Sequence, residues 1–183
     1  FTWTSARGGI KMNKRISALK FALDNELHER DFYLANARRT KNLAGKNMFK
    51  QIADEEKEHY DMLKKLFEKW EAKEKWPATI PLKVKKSVAG NIIKAMSEKK
   101  GARIKGNEDD LKAIRTAIDF EARGMALYTK LEQGSDDPKE KAFFNLLASI
   151  ERQHFLSLRD TEEFLTDPAS WYQNMEKASL DGG

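Results

Sequence analysis

The segment FKQIADEEKEHYDML, residues 49–63, resembles FNLLASIERQHFLSL, residues 144–158, and this likeness indicates the fold. The two segments lie 95 residues apart and share Phe, Ala, Glu, His and Leu at matching positions. The same offset brings ALDNELHERDFY (22–33) over AIDFEARGMALY (117–128), which share Ala, Asp, Glu and Tyr. Because one offset aligns both pairs, the repeating unit is a two-helix hairpin together with its loop.

The composition limits the classes of protein to which this chain can belong. Its 183 residues suit one domain with a substantial core, and 34 Lys plus Arg against 29 Asp plus Glu give a net charge of +5. No stretch approaches the roughly 20 apolar residues that span a bilayer, so we expect a cytoplasmic protein without membrane contact. Without Cys, this sequence excludes disulfides, iron-sulfur clusters and Cys-ligated zinc, and a metal would need Glu, Asp or His ligands.

Long segments rich in Ala, Leu, Glu, Lys and Arg, with only four Pro, predict helices almost throughout. The predicted elements are a flexible leader, native or not (1–12), helices A (14–41), B (46–75), C (109–132) and D (138–165), and a short C-terminal helix and tail (167–183). Hairpins 14–75 and 109–165 are separated by a connector, 76–108, with a small amphipathic segment at 85–98. Two hairpins joined by one long crossover predict an all-α four-helix bundle domain over 13–166.

The connector region is basic. Residues 67–105 contain 11 Lys plus Arg and 4 Asp plus Glu. Such a stretch would suit an acidic partner or nucleic acid, but Lys and Glu alternate around Trp70 and Trp76 as on a solvated face. Because no groove-reading motif accompanies the charges, we expect no nucleic-acid partner.

Each repeat carries a Glu-x-x-His motif on its second helix, Glu56 with His59 and Glu151 with His154. At this spacing the two side chains lie about 60° apart on one helix face, so they can direct ligand atoms toward one point. A single such motif is usually a surface accident. Here, however, two of only three His in the chain fall in the motif at the same position of a repeat.

The first helix of each repeat supplies one further carboxylate, Glu26 or Glu121, from an apolar stripe that should face the core. Four core carboxylates need compensation, because an unpaired charge taken out of water costs several kcal/mol. Two divalent cations would balance the four negative charges. The residues therefore predict a site for two metal ions.

This pattern of one Glu plus one Glu-x-x-His, given twice, resembles the ferritin-like di-metal carboxylate bundles. The chain is similar to the rubrerythrin group over about residues 14–165. The resemblance implies two iron ions, although carboxylate and imidazole ligands also suit manganese and zinc. It implies six ligands, Glu26, Glu56, His59, Glu121, Glu151 and His154. Whether Glu56 and Glu151 bridge the two ions or each serve the site at their own His stays open.

The sequence departs from rubrerythrin itself in two ways. It has no Cys for a separate single-iron electron-transfer domain, so electrons would come from an external donor protein such as a rubredoxin, or from ferrous iron. Rubrerythrins also tend to carry an extra Glu where this chain has Gly124, and the mirror position on helix A is Glu29. Glu29 is a candidate seventh ligand, and the alternative is a solvent-facing Glu in an ion pair.

Tyr33 and Tyr128 each stand two turns after the Glu of helix A or C. A buried Tyr usually finds a hydrogen-bond partner, so we predict that each supports a ligand carboxylate across the bundle, with simple aromatic packing as the alternative. His28 lies 200° from Glu26 on the helix and is predicted at the surface. Trp70, Trp76 and Trp171 are predicted to pack.

The resemblance implies a non-haem di-iron oxidoreductase that reduces hydrogen peroxide or oxygen with oxidation of ferrous iron. One alternative is a ferroxidase and iron-storage protein, which needs a closed shell of many subunits. An alternative of another class is a non-catalytic metal-binding bundle whose basic connector binds a partner. DNA-protecting ferritin relatives are disfavoured, because all six ligands occur within one chain. We expect a homodimer or higher homo-oligomer, in which the long connector would allow hairpins to exchange.

Overall fold

The computed structural model of the chain describes residues 5–72 and 106–180, and these residues form helices and no strands. The helices are α1 (Ser5–Arg39), α2 (Leu43–Glu71), α3 (Glu108–Gly134), α4 (Pro138–Thr166) and α5 (Pro168–Leu180). Three-residue loops join α1 to α2 and α3 to α4, and each of these pairs packs as an antiparallel hairpin. The predicted all-α bundle with a short C-terminal helix is confirmed.

Side-chain caps fix where three of the helices begin. Asn42 Oδ1 accepts hydrogen bonds from the backbone N–H groups of Ala44 (2.9 Å) and Gly45 (3.2 Å) at the start of α2. Asn107 caps α3 in the same way, and Asp137 caps α4, which has Pro in its first turn. These caps satisfy backbone donors that a helix terminus leaves without partners.

Two predicted helix starts were wrong. Helix α1 begins at Ser5, so it extends through residues 5–12, which were predicted as a leader without helical structure. The Gly8–Gly9 pair weakens a helix by only about 1 kcal/mol per Gly, and extending an existing helix is far easier than nucleating one. Helix α2 begins before Gly45, whose missing side chain allows close contact with Thr40, since an added Cβ would lie 3.2 Å from Thr40 Cγ2.

Helix α2 is shorter at its carboxyl end than the sequence predicted. Helix α2 ends at Glu71, four residues before the predicted end at residue 75. The predicted amphipathic segment at 85–98 lies outside the described residues, as do residues 1–4 of the predicted leader.

In the part of the chain that the structure describes, the core consists of two apolar clusters with a polar layer between them. Along each of the four bundle helices, residues of one cluster come before the polar residues and residues of the other come after. On α2, for example, Ile52 belongs to the first cluster and Leu63 to the second, and Glu56 and His59 lie between them. The helical period thus places the ionisable residues in the middle of the bundle.

Helix α5 covers one end of the bundle. The indole of Trp171 is 3% exposed, lies 5.4 Å from the ring of Phe164, and donates an Nε1–H hydrogen bond to Asp160 at 2.7 Å. The predicted packing role of Trp171 is therefore confirmed, whereas the side chains of Trp70 and Trp76 lie outside the described residues.

Candidate metal centre

Two groups of potential ligand atoms meet in the polar layer, and within each group the atoms lie within 4.8 Å of one another. The first group is Glu26, Glu56, His59 and Glu151, and the second is Glu56, Glu121, Glu151 and His154. The structure thus brings together all six residues that the resemblance implied. Glu56 and Glu151 belong to both groups, which is the arrangement required if these two carboxylates bridge two ions.

All six side chains are completely buried, and each of the four bundle helices contributes at least one of them. His59 Nδ1 lies 2.8 Å from Glu56 and 3.2 Å from Glu26. His154 Nδ1 lies 3.1 Å from the other oxygen of Glu56 and 3.4 Å from Glu121. Both imidazoles therefore direct Nδ1 toward the carboxylates, and their rings stack with centroids 5.7 Å apart.

Two tyrosines hold carboxylates of this cluster from the opposite hairpin. The Tyr33 hydroxyl on α1 donates a hydrogen bond to Glu121 on α3, and the Tyr128 hydroxyl on α3 donates one to Glu26 on α1. Both tyrosines are fully buried. Because each bond joins the two hairpins, it fixes one carboxylate and also ties the halves of the bundle together.

We expect Tyr33→Phe to lower the free energy of unfolding of the metal-free protein by about 1–3 kcal/mol, because a buried oxygen of Glu121 loses its donor. Urea unfolding followed by circular dichroism measures this change. Tyr60→Phe, at a half-buried tyrosine of α2, is the control and should change the value by less than about 0.5 kcal/mol. Equal stability of the Tyr33 variant and the parent would contradict the supporting role of the hydroxyl.

The buried position and the mutual charges of the cluster shift the pKa values of several of its carboxyl and imidazole groups. Burial raises the pKa of Glu26 from its usual 4.5 to about 8, and burial together with the Glu56 charge raises the pKa of Glu151 well above its usual range. Burial opposes ionisation of Glu56, but His59 and His154 outweigh it and lower the pKa of Glu56 below 4.5. Without metal the cluster therefore balances its charges by holding protons.

For the two histidines, the neighbouring carboxylates outweigh the effect of burial on the pKa. Burial opposes protonation of His59, but the carboxylates of Glu56 and Glu26 outweigh it and raise its pKa from 6.5 to about 10. Burial likewise opposes protonation of His154, and Glu121 and Glu56 raise its pKa well above 6.5. Both imidazoles thus lie in a field created by carboxylates, which also favours a bound cation.

Unsatisfied polar atoms test whether metal ions fit this cluster. Buried side-chain atoms normally have hydrogen-bond partners. At this site seven of them make no hydrogen bond of normal geometry with the described residues, although some lie within ion-pair distance of one another: Glu29 Oε2, Glu56 Oε1, His59 Nε2, Glu121 Oε2, both carboxylate oxygens of Glu151, and His154 Nδ1. Most are oxygen or imidazole nitrogen atoms facing a common centre, which are the ligand atoms that iron, manganese and zinc accept. The residues present therefore fit metal ions.

Glu29 is buried beside this cluster, with 3% of its surface exposed, so the alternative of a solvent-facing Glu is wrong. Its Oε1 accepts a hydrogen bond from Asn25 at 2.9 Å, and burial together with the charges of Glu56 and Glu121 raises its pKa well above 4.5. Glu29 belongs to neither donor group, so its role as a seventh ligand stays a prediction.

The position that mirrors Glu29 in the second repeat is Gly124, which lies against the shared carboxylate of Glu151. A Cβ added at Gly124 would lie 3.4 Å from both Cγ and Oε2 of Glu151. These are ordinary van der Waals distances, so a Cβ at residue 124 would contact the Glu151 carboxylate without a clash.

Sequence reasoning missed Glu55. Its Oε2 lies 2.6 Å from Nε2 of His154, the ring nitrogen that points away from the cluster. The repeat gave no signal, since the matching residue is Ile150, and the polarity of a residue next to Glu56 does not reveal a contact with another helix. His28 is exposed and takes no part in the site.

The fold and the cluster together define a class of protein, a four-helix bundle with a buried carboxylate and histidine cluster able to hold metal ions. The sequence pattern of the rubrerythrin family matches residues 17–161, and the chain therefore belongs to the rubrerythrin family. No curated protein matches the chain. The chain is similar to a solved structure, a hypothetical protein from Pyrococcus furiosus, at 26% identity and a TM-score of 0.60, over 82% of this chain and 89% of that one. Among the helices that the structure describes, none contains an apolar stretch of the kind that spans a bilayer.

Proposed function

We propose that the protein is a non-haem di-iron oxidoreductase that reduces hydrogen peroxide, or oxygen, with oxidation of ferrous iron. The observation that carries the proposal is the sharing of Glu56 and Glu151 by the two donor groups. Ligands shared in this way would hold two ions next to each other, and two ferrous ions there would supply two electrons together to one peroxide.

The atoms and electrons of this reaction balance. One hydrogen peroxide accepts two electrons and two protons, its O–O bond breaks, and two waters form. Two ferrous ions held by the cluster would supply these two electrons, one each, and would become ferric. We further propose that an external electron-donor protein, such as a rubredoxin, returns the two electrons, because Cys ligands for a single-iron site do not occur in these 183 residues.

The protein's own residues position the ligands and keep bulk water away. Tyr33 and Tyr128 orient the carboxylates of Glu121 and Glu26 through hydrogen bonds between the hairpins. The apolar clusters on both sides leave the six ligand side chains fully buried. Burial and the same carboxylates raise the pKa of Glu29, and two bound cations would oppose this effect. With the cations bound, Glu29 would add a negative charge that favours the more positive ferric ions.

Peroxide oxidation of the anaerobically loaded protein tests this function. We expect stopped-flow mixing with hydrogen peroxide to oxidise the di-ferrous protein at least about 100-fold faster than a Glu56→Ala, His59→Ala variant, because that variant lacks a shared carboxylate and an imidazole. The matched control is Asp54→Ala with His28→Ala, which removes the same kinds of group from exposed positions and should leave the rate unchanged.

Three outcomes would contradict the proposal. Equal oxidation rates for the parent and the site variant would show that the cluster does not perform the reaction. A redox-silent metal in the native protein, found by elemental analysis, would favour a non-catalytic bundle instead. A closed shell of many subunits, found by mass measurement in solution, together with a mineral core would favour iron storage.

A further inference from the structure

His59 and His154 occupy matching positions of the repeat, but their outer ring nitrogens have different surroundings. His154 Nε2 lies 2.6 Å from Glu55 Oε2, whereas His59 Nε2 is buried and makes no hydrogen bond within the described residues. The residue that corresponds to Glu55 in the second repeat is Ile150, which is 2% exposed. The two halves of the centre therefore differ in whether a carboxylate faces the outer ring nitrogen of the histidine.

Glu55 is held in place from two sides. Gln51 Nε2 donates a hydrogen bond to one carboxylate oxygen of Glu55 at 2.7 Å, and His154 lies against the other oxygen. The Glu55 side chain is 14% exposed and that of His154 is completely buried. Glu55 therefore fixes a buried imidazole from the edge of the site.

The two nitrogens of His154 have different partners. Nδ1 faces Glu56 at 3.1 Å within the ligand cluster, and Nε2 faces Glu55. An imidazole that binds a metal through one nitrogen carries its hydrogen on the other, and a carboxylate that accepts this hydrogen orients the ring and strengthens the ligand. His59 also directs Nδ1 into the cluster, at 2.8 Å from Glu56, but its outer nitrogen has no such carboxylate among the described residues.

We propose that Glu55 is a positioning residue that makes the two metal positions unequal, so that the His154 position binds a divalent ion before the His59 position. This inference rests on the proposed two-metal function and adds an order of filling to it. Loss of a carboxylate partner behind a metal-binding imidazole lowers metal affinity roughly 10–100-fold. We therefore expect the affinities of the two positions to differ by about this factor.

The order of filling can be read from the histidines themselves, because the chain contains only three. Metal-free protein labelled with ¹⁵N-histidine is titrated with Zn²⁺ and followed by NMR of the ring nitrogens, with the exposed His28 as an internal reference. We expect the first equivalent of Zn²⁺ to shift the His154 signals and the second to shift those of His59. If His59 responds first, or both respond together, the inference is overturned.

Variants at Glu55 test whether this residue causes the order. Glu55→Ile copies Ile150 of the other repeat and should make the two histidines respond together, with the tighter Zn²⁺ affinity reduced roughly 10–100-fold in calorimetry. Glu55→Gln keeps the shape of the side chain and removes its charge, so it gives a second test. In this variant the Zn²⁺ affinities of the His154 and His59 positions should differ by less than in the parent. Asp54→Asn removes a charge from the exposed neighbouring residue and should keep the parental order.

The results separate this inference from the function on which it rests. If both Glu55 variants retain the parental order and affinities, Glu55 does not set the order and the inference is overturned while two-metal binding stands. If neither His59 nor His154 responds to two equivalents of Zn²⁺, the metal centre itself is disproved, and the proposed function fails with it.

Discussion

Glu151→Gln is expected to weaken binding at both metal positions, whereas Glu26→Gln is expected to weaken binding at one. Glu151 belongs to both donor groups, and Glu26 belongs only to the group that contains His59. We expect a loss of affinity of roughly 100-fold or more at each affected position, because the substitution replaces a charged ligand with a neutral one. Anaerobic titration with Fe²⁺, combined with elemental analysis after desalting, measures the number of ions bound and their affinities.

These two variants form a matched pair because the metal-free protein should tolerate both. Burial raises the pKa of Glu151 well above its usual range and that of Glu26 to about 8, so both carboxyls hold a proton near neutral pH. Gln has nearly the shape of a protonated Glu, and thermal unfolding of the two metal-free variants should resemble that of the parent. If Glu151→Gln still binds one ion with parental affinity, Glu151 serves only one position and the shared-ligand arrangement is wrong.

Much of this site could be predicted from sequence because helical geometry is local. A Glu three residues before a His must share its helix face, and the apolar residues around Glu26 and Glu121 show that this face points into the core. The 95-residue offset then predicts that both hairpins present the same groups. Repeat and period together thus selected six residues that the fold places at one centre.

Contacts between hairpins could not be predicted from this local geometry. Whether Glu56 and Glu151 serve one ion each or both ions depends on how closely α2 and α4 approach, and no spacing within one helix encodes that distance. The same reason explains why Glu55 was missed, since it acts on His154 from another helix. Glu29 is an intermediate case, because it follows Glu26 by three residues and so shares its helix face, but the sequence left open whether Glu29 was buried.

The helix starts were wrong for a related reason. Gly is a weak helix former, so Gly45 and the Gly pair at residues 8–9 favour breaks when each is considered alone. In the folded chain, Gly45 instead permits a close approach to Thr40, and Asn42 supplies the cap that begins α2. At the start of α2, packing and capping thus outweigh a cost of about 1 kcal/mol for this Gly.

The metal-free protein is expected to lose stability as the pH rises from about 6.5 to 9, and bound metal should remove most of this loss. Burial raises the pKa of Glu26 from 4.5 to about 8, and the carboxylates outweigh burial to raise the pKa of His59 from 6.5 to about 10. Between pH 6.5 and 8 the folded state therefore holds protons that the unfolded state has released. Stability then falls by about 1.4 kcal/mol per pH unit for each such proton.

Glu26 and His59 both lower the stability of the metal-free protein as the pH rises through this range. The stabilising effect of protonated His59 is complete below pH 6.5 and is lost as the pH rises through about 10, and that of protonated Glu26 is lost as the pH rises from 4.5 through about 8. The lowered pKa of Glu56 acts in the opposite direction, but only in acid below pH 4.5. Metal ions bind the deprotonated ligands, so metal affinity, and with it the stabilisation by metal, grows as the pH rises.

Thermal unfolding of the metal-free and the Zn²⁺-loaded protein from pH 6 to pH 9 measures this difference. We expect the gap between the two melting temperatures to widen with pH, and calorimetry in buffers of different ionisation enthalpy to show protons released when Zn²⁺ binds. In Glu26→Gln the metal-free protein should lose less stability across the range, because one of the titrating groups is absent. A metal-free melting temperature that stays constant or rises from pH 6.5 to 9 would show that the buried cluster does not hold these protons.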